Sequence, residues 1–175
     1  MKYSSLFLLL GLISCNSLAC SFNGASAFEP TLQRWEQHPG PAQKDPKSTG
    51  EYWESVPTPI VKVSKISRAS YKGGSSCNDA GLIELEVELP TTSTYEISEF
   101  GIYFRVLSGK EPDMIFPDVP IKGEIRGKTM IFLFPWLDMV PSKQYPLDLV
   151  VDATLITNGL NIGKSVTFKI QQNNG

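Results

Sequence analysis

Histidine is almost missing from this chain. His38 is the single one in 175 residues, and it sits in the proline-rich run His38-Pro39-Gly40-Pro41. Nucleophilic catalysis by serine or cysteine needs a base held in line with the nucleophile, and such a run is a poor mount for one. Cysteine is scarce too: Cys15, Cys20 and Cys77. With one histidine they do not complete a closed zinc site. Asp113, Asp118, Asp138 and Asp148 are the acids that could take calcium, but they lack a recognisable ligand spacing. Neither charge dominates, since 16 Lys+Arg face 18 Asp+Glu for a net charge of −2. That balance supplies no basic patch of the kind that nucleic acid or an anionic membrane surface requires. The chain also lacks a long apolar run. The first, Leu6 to Ile13, holds about eight residues, whereas a bilayer span needs roughly 20. No helical period of useful length appears, and no cofactor is implied.

That short run is nevertheless informative. Behind the positive charge of Lys2 it has the length and position of a secretory h-region. It ends in Leu12-Ile13-Ser14-Cys15, which resembles the bacterial lipoprotein cleavage site. The resemblance implies that residues 1–14 are a signal peptide and that Cys15 is lipidated and becomes the N-terminus. Its acyl chains (palmitate among them) would supply the two-chain anchor that makes membrane attachment stable. Asn16 is not the aspartate associated with inner-membrane retention, so the resemblance implies an outer-membrane destination, facing the periplasm or the surface. A rival reading is ordinary cleavage after Ser17-Leu18-Ala19, giving a soluble periplasmic or secreted protein. Lipidation at Cys20 is a third, with Ser17 a poor match to the aliphatic residue preferred upstream. The first two readings leave Cys20 and Cys77 as a pair in an oxidising compartment, where a disulfide is expected. It would close a loop of roughly 57 residues and constrain the unfolded chain by about 4 kcal/mol. The alternative is that Cys20 stays free in a tail.

From residue 15 to 56 neither hydrophobic period is present. Pro30, Pro39, Pro41 and Pro46 recur among glycines and scattered charges. Such a segment buries too little apolar surface to offset its ordering entropy, which reads as a spacer tail. Trp35, Tyr52 and Trp53 are unusual in a free linker and suggest that part of it packs on the domain.

Residues 57–171 alternate strongly. Ile83-Glu84-Leu85-Glu86-Val87-Glu88-Leu89 places four apolar residues on one face and three glutamates on the other, the period-2 mark of a half-buried strand. Further strands are expected at Ile60–Ile66, Gly101–Leu107, Ile115-Phe116, Ile121–Ile125, Thr129–Phe134, Leu147–Ile156 and Ser165–Ile170, with residues 172–175 as a short C-terminal tail. About seven strands with frequent turn signals predict an all-β, antiparallel immunoglobulin-like sandwich behind an extended N-terminal tail. The final hairpin, through Asn158-Gly159 and Gly163-Lys164-Ser165, resembles the last two strands of fibronectin type III and related immunoglobulin-like domains. The expected core sets Ile83, Leu85, Val87 and Leu89 against Tyr103 or Phe104, Ile131, Leu133, Leu149, Val151, Ala153 and Leu155. Glu84, Glu86, Glu88, Asp148 and Asp152 should then point to water.

Three features invite a chemical reading. Gly159-Leu160-Asn161-Ile162-Gly163-Lys164-Ser165 has three residues between its glycines where a phosphate loop needs four, and it joins two strands, so it reads as a turn. The glutamate row is spaced like paired glycosidase carboxylates but is more simply a solvated face beside Lys62 or Lys65. Trp136, in Phe134-Pro135-Trp136-Leu137-Asp138, is expected to plug one end of the sandwich, or else to contact a ligand. The function expected is a non-catalytic envelope lipoprotein that contacts another envelope protein or a cell-wall polymer through end loops or an edge strand. The alternative is a carbohydrate-binding or hydrolytic accessory protein using Trp136 and nearby carboxylates.

Overall fold

A computed structural model describes residues 24–28, 56–71, 78–157 and 162–172. Nine strands lie in these segments: β1 Ser26–Ala27, β2 Ile60–Ser67, β3 Ala80–Glu88, β4 Phe100–Ser108, β5 Ile121–Lys122, β6 Glu124–Arg126, β7 Thr129–Leu137, β8 Leu147–Thr157 and β9 Val166–Gln172. They form two sheets, ordered β1-β5-β4-β8-β9 and β2-β3-β7-β6, with antiparallel pairing throughout. The expected all-β sandwich is present. In immunoglobulin lettering the second sheet reads A-B-E-D, and the first reads C′-C-F-G with β1 added outside C′.

Alternation builds the inner faces. On β3, Ile83, Leu85 and Val87 are fully buried while Glu84 and Glu86 lie on the outer face. Phe104 is the centre of an aromatic cluster that meets Phe132, Phe134 and Phe116 at ring-centroid distances of 5.1, 5.5 and 5.6 Å. The Phe132 and Phe134 contacts are edge-to-face and the Phe116 contact is tilted, and aromatic pairs of this kind contribute about 0.5–1.5 kcal/mol each beyond the area they bury. Leu149, Val151, Ala153 and Leu155 complete the core from β8.

Several expectations are corrected. On β7 the buried set is Met130, Phe132, Phe134 and Trp136, and Ile131 and Leu133 lie on the outer face, half-buried. The strand is apolar in both phases, so alternation could not choose, and the bulkier set fills the core. Phe134–Leu137 is strand rather than turn, paired with Ala80–Ile83 of β3. β6 pairs only Thr129–Ile131, so beyond it that side of β7 is an edge, where Pro135 is tolerated. Ile121–Ile125 divides into β5 and β6, which belong to different sheets. Ile115 and Phe116 form a buried loop, and both backbone N–H groups donate to the Glu111 carboxylate at 2.8 and 3.0 Å. Tyr103 faces outward and packs with Ile156, Val119 and Ile162 in a second, smaller cluster. Asp152 is buried, accepting from Thr167 Oγ1 at 2.6 Å and facing Arg105 at 3.5 Å, because β9 and Arg105 cover the outer face there.

The segment 24–28 is part of the domain. β1 adds to the β5 edge, and the Phe28 N–H donates to Pro120 O at 3.0 Å. Phe28 is 4% exposed because it covers Gly101, where any side chain would collide with its ring. Gly101→Ala is therefore expected to expel Phe28 and strip β1 from the edge. Hydrogen exchange checks this: the Phe28 amide should lose protection while the Leu149 and Val151 amides keep theirs.

Candidate functional site

The two ends of the sandwich differ in chemistry. At the end where β3 stops, a cleft of about 360 Å³ opens between the β3–β4 loop and the β6–β7 turn. Pro90 terminates β3, and the Ser93 N–H donates back to Pro90 O at 2.8 Å to close a turn. The Tyr95 N–H donates to Ser93 Oγ at 3.1 Å, and the Tyr95 ring packs edge-on against Phe100 at 5.7 Å. A single 3₁₀ turn, Ile97–Glu99, then leads into β4, and Lys122 Nζ donates to Ser98 O at 2.6 Å. The opposite wall is a hairpin with the two-residue loop Gly127-Lys128 between the paired Arg126 and Thr129. Gly127 takes φ 63°, as glycine does in the first position of such turns. Arg126 grips Glu124 through two bonds of 3.0 and 2.8 Å, which hold that carboxylate below its ordinary range. The cleft is lined by Leu89, Tyr95, Ile97 and Ile125, with Glu88, Glu96 and Lys128 beside them. Thr129 Oγ1 donates to Glu88 at 2.6 Å across the strand pair.

At the other end a buried ion pair locks the loops. Arg68 meets Asp138 through Nε at 2.7 Å and through a second guanidinium nitrogen at 2.9 Å. The Ala69 and Met139 N–H groups donate to the same carboxylate at 3.0 and 2.9 Å. Burial pushes the Asp138 carboxyl up, but Arg68 and the two amides outweigh it and leave it below the ordinary carboxylate value. Tyr71 Oη donates to Asp138 O, and Gln144 donates to Ala69 O and Met139 O. Trp136 lies under Arg68, 5.9 Å from guanidinium carbon to ring centroid, and against Gly81. It is 4% exposed, and its Nε1 has no hydrogen-bond partner among the described residues. The indole thus plugs this end and offers no ring face to solvent. The nearest carboxylate in sequence, Asp138, is engaged by Arg68.

The remaining sequence candidates are dispersed. Glu84 accepts from Ser64 Oγ at 2.6 Å and Glu86 pairs with Lys62 at 2.9 Å, both on the outer face, so only Glu88 of the row reaches the cleft. Asp113 accepts from the Met114 N–H and Asp148 from Gln171. Asp118 faces Tyr103, whose phenol burial pushes up and that carboxylate raises further. Among the described residues no three such ligands converge. Gly163, Lys164 and Ser165 lie between β8 and β9, where Ser165 Oγ bonds Thr154 Oγ1 at 2.7 Å. Cys15, Cys20, Cys77 and His38 fall outside the described residues, and with them the lipid site and the disulfide. Sequence reasoning missed the cleft and the Arg68–Asp138 pair. The cleft had a signal in Pro90 and in the Arg126-Gly127-Lys128 turn, whereas the pair had none.

Compared with family models, curated proteins and solved structures, the chain finds no match in any of the three.

Proposed function

We propose that this chain is a non-catalytic module of a bacterial cell envelope, anchored through a lipid on Cys15, whose cleft binds a segment of another envelope protein. The observation that carries the reading is the cleft itself. Its volume lies in the range of about 300–1,000 Å³ typical of ligand sites, and its walls are held by main-chain hydrogen bonds rather than by loose side chains. Leu89, Ile97 and Ile125 suit an apolar side chain, and Lys128 and Glu96 can fix the polar backbone around it. Tyr95 is half-buried edge-on against Phe100, which favours a peptide over a sugar that needs a flat aromatic platform. The accessory-protein reading loses its residues, since Trp136 is buried and Asp138 is spent on Arg68.

A photo-crosslinking residue placed at Ile125, and separately at Lys169 on β9, tests this in cells. The expected result is a discrete protein adduct from position 125 that is absent from position 169 and survives cell-wall digestion. Adducts to a sugar polymer, or equal capture from both positions, would overturn it. The anchor is tested by Cys15→Ala, which should release the protein from the membrane fraction. A membrane-free wild type whose mature N-terminus is Cys20 would instead establish ordinary cleavage.

A further inference from the structure

We infer that the segment held by the cleft binds as an antiparallel strand added to β6. Its main chain pairs with Ile125, one apolar side chain enters the cleft, and a carboxylate meets Lys128. The inference rests on the cleft reading above and gives the partner its conformation and chemistry.

The hairpin fixes which main-chain groups are open. Its two-residue loop makes Arg126 and Thr129 a hydrogen-bonded pair, so Ile125 and Met130 form the non-bonded pair that follows. The N–H and C=O of Ile125 therefore point away from β7. Among the described residues no strand pairs with β6 on that side, where the sheet ends. An edge of this kind accepts a further strand, and antiparallel addition continues the pairing of the whole sheet.

The other edges are guarded. β2 is interrupted by a bulge between Val63 and Lys65 and carries Lys62 and Lys65. β9 carries Lys169, the open side of β7 carries Pro135, and β1 is two residues long. Bulges, lysines, proline and shortness are the usual defences of a sheet edge. On β6 the charges of Glu124 and Arg126 neutralise each other through two bonds of 3.0 and 2.8 Å, so neither repels an incoming chain. A second copy paired two-fold on β6 would meet only these three residues a side, too few for a stable interface.

Side chains set the chemistry of the partner. Residues opposite each other in a ladder share a face. Ile125 lies opposite the buried Met130, so its side chain stands on the inner face, 38% exposed, beside Leu89, Tyr95 and Ile97. A residue added opposite Ile125 sends its side chain to the same face, into the cleft, and its two neighbours fall on the outer face. Of the charges lining the cleft, Glu88 accepts from Thr129 Oγ1 and Glu96 from Ser98 Oγ. Lys128 bonds to none of the described residues. An acid two positions from the apolar residue, toward the turn, returns to the inner face and reaches Lys128. In an antiparallel strand that acid precedes the apolar residue.

The probe is the blocked pentapeptide Asp-Thr-Val-Thr-Thr, added at millimolar concentration to the unlipidated Cys15→Ala chain and followed by NMR and amide hydrogen exchange. The expected result is shifts at the cleft and severalfold slower exchange at Ile125, with Lys169 unchanged. Lysine in place of the peptide's aspartate should weaken binding severalfold, and Lys128→Glu should reverse that preference. Ile125→Pro removes a donor that the fold does not use and should abolish binding at an unchanged urea midpoint. Methylating the valine nitrogen of the peptide makes the same test from the other strand, whether or not that variant folds. Shifts at the cleft without protection of Ile125, or binding that survives the methylation, would overturn the added strand and leave the cleft reading standing. Equal binding of the lysine peptide would overturn the carboxylate. Absence of binding would overturn the proposal alone if position 125 still gives its adduct in cells, and the cleft reading with it if not. Protection of Ile125 that rises with protein concentration and needs no peptide would show a second copy there, and would overturn it as well.

Discussion

Arg68→Met should destabilise the domain by about 3–5 kcal/mol in urea unfolding at neutral pH, the usual result of removing one partner from a buried ion pair. The side chains of Arg68 and Asp138 are 9% and 2% exposed, so water cannot replace the lost guanidinium. The Asp138 carboxylate would keep only the Ala69 and Met139 amides. The Tyr145 carbonyl would lose its donor as well. Acid titration carries the same test further. Asp138 is held below its ordinary value in the fold, against about 3.9 in an unfolded chain. A depressed value stabilises the fold above the unfolded pKa, and that contribution is lost as pH falls from about 4 toward the folded value. The wild type should therefore lose stability there, and its advantage over Arg68→Met should shrink, because protonation dissolves the pair in one protein and there is none in the other. An advantage that stays constant down to pH 3 would mean that the pair does not hold this end. The loops that carry the exposed Leu137, Met139 and Tyr145 would loosen in the variant, because Arg68 and Asp138 hold them by hydrogen bonds.

How much of this was legible in the sequence depends on what each segment shows to water. Most of Ile83–Leu89 was readable because glutamates mark one face, so the strand, its phase and the buried Ile83, Leu85 and Val87 follow from alternation. Leu89, expected in the core, lies past the strand end, half-buried in the cleft wall. β7 was readable as a strand but not in phase, since Met130 to Leu133 are apolar on both sides. The division of Ile121–Ile125 between two sheets was invisible because local pattern does not say which neighbour a strand pairs with. Arg68 and Asp138 lie 70 residues apart, and nothing near either names the other. The place of the tail was partly legible: a run without period predicts a spacer, yet Phe28 lies over a glycine that sequence cannot assign to it. The expected plug role of Trp136 follows from its position after the most apolar strand, and its alternative as a ligand contact does not survive its burial under Arg68. The cleft is the harder case. Its apolar residues come from loops and a short edge strand, where alternation carries no information, and only the turn residues Pro90 and Gly127 mark its walls.

Phe132→Ala should cost about 3–5 kcal/mol, and Leu133→Ala roughly 1 kcal/mol, although the two residues are neighbours on one strand. Phe132 is fully buried, meets Phe104 edge-on at 5.1 Å, and runs parallel to Phe134 at 5.9 Å. Its removal deletes a ring from the centre of the cluster, and Phe104, Phe134 and Leu85 cannot collapse into the space without leaving their rotamers. Leu133 sits on the outer face, half-buried, so truncation removes a few methylenes from partial contact and leaves no enclosed void. Urea denaturation of the full chain and both variants, monitored at a fixed slope, separates the two registers of β7. In the register with Ile131 and Leu133 inward the order of the costs reverses. Equal costs would mean that both faces of β7 are enclosed, and the outer face would then have to be covered by more of the chain than Gly24 alone. The contrast matters for function because the phase of β7 also sets which way Trp136 points. With Phe132 inward, period 2 carries Trp136 inward too, under Arg68, and leaves Leu137 outward and exposed at the end of the strand.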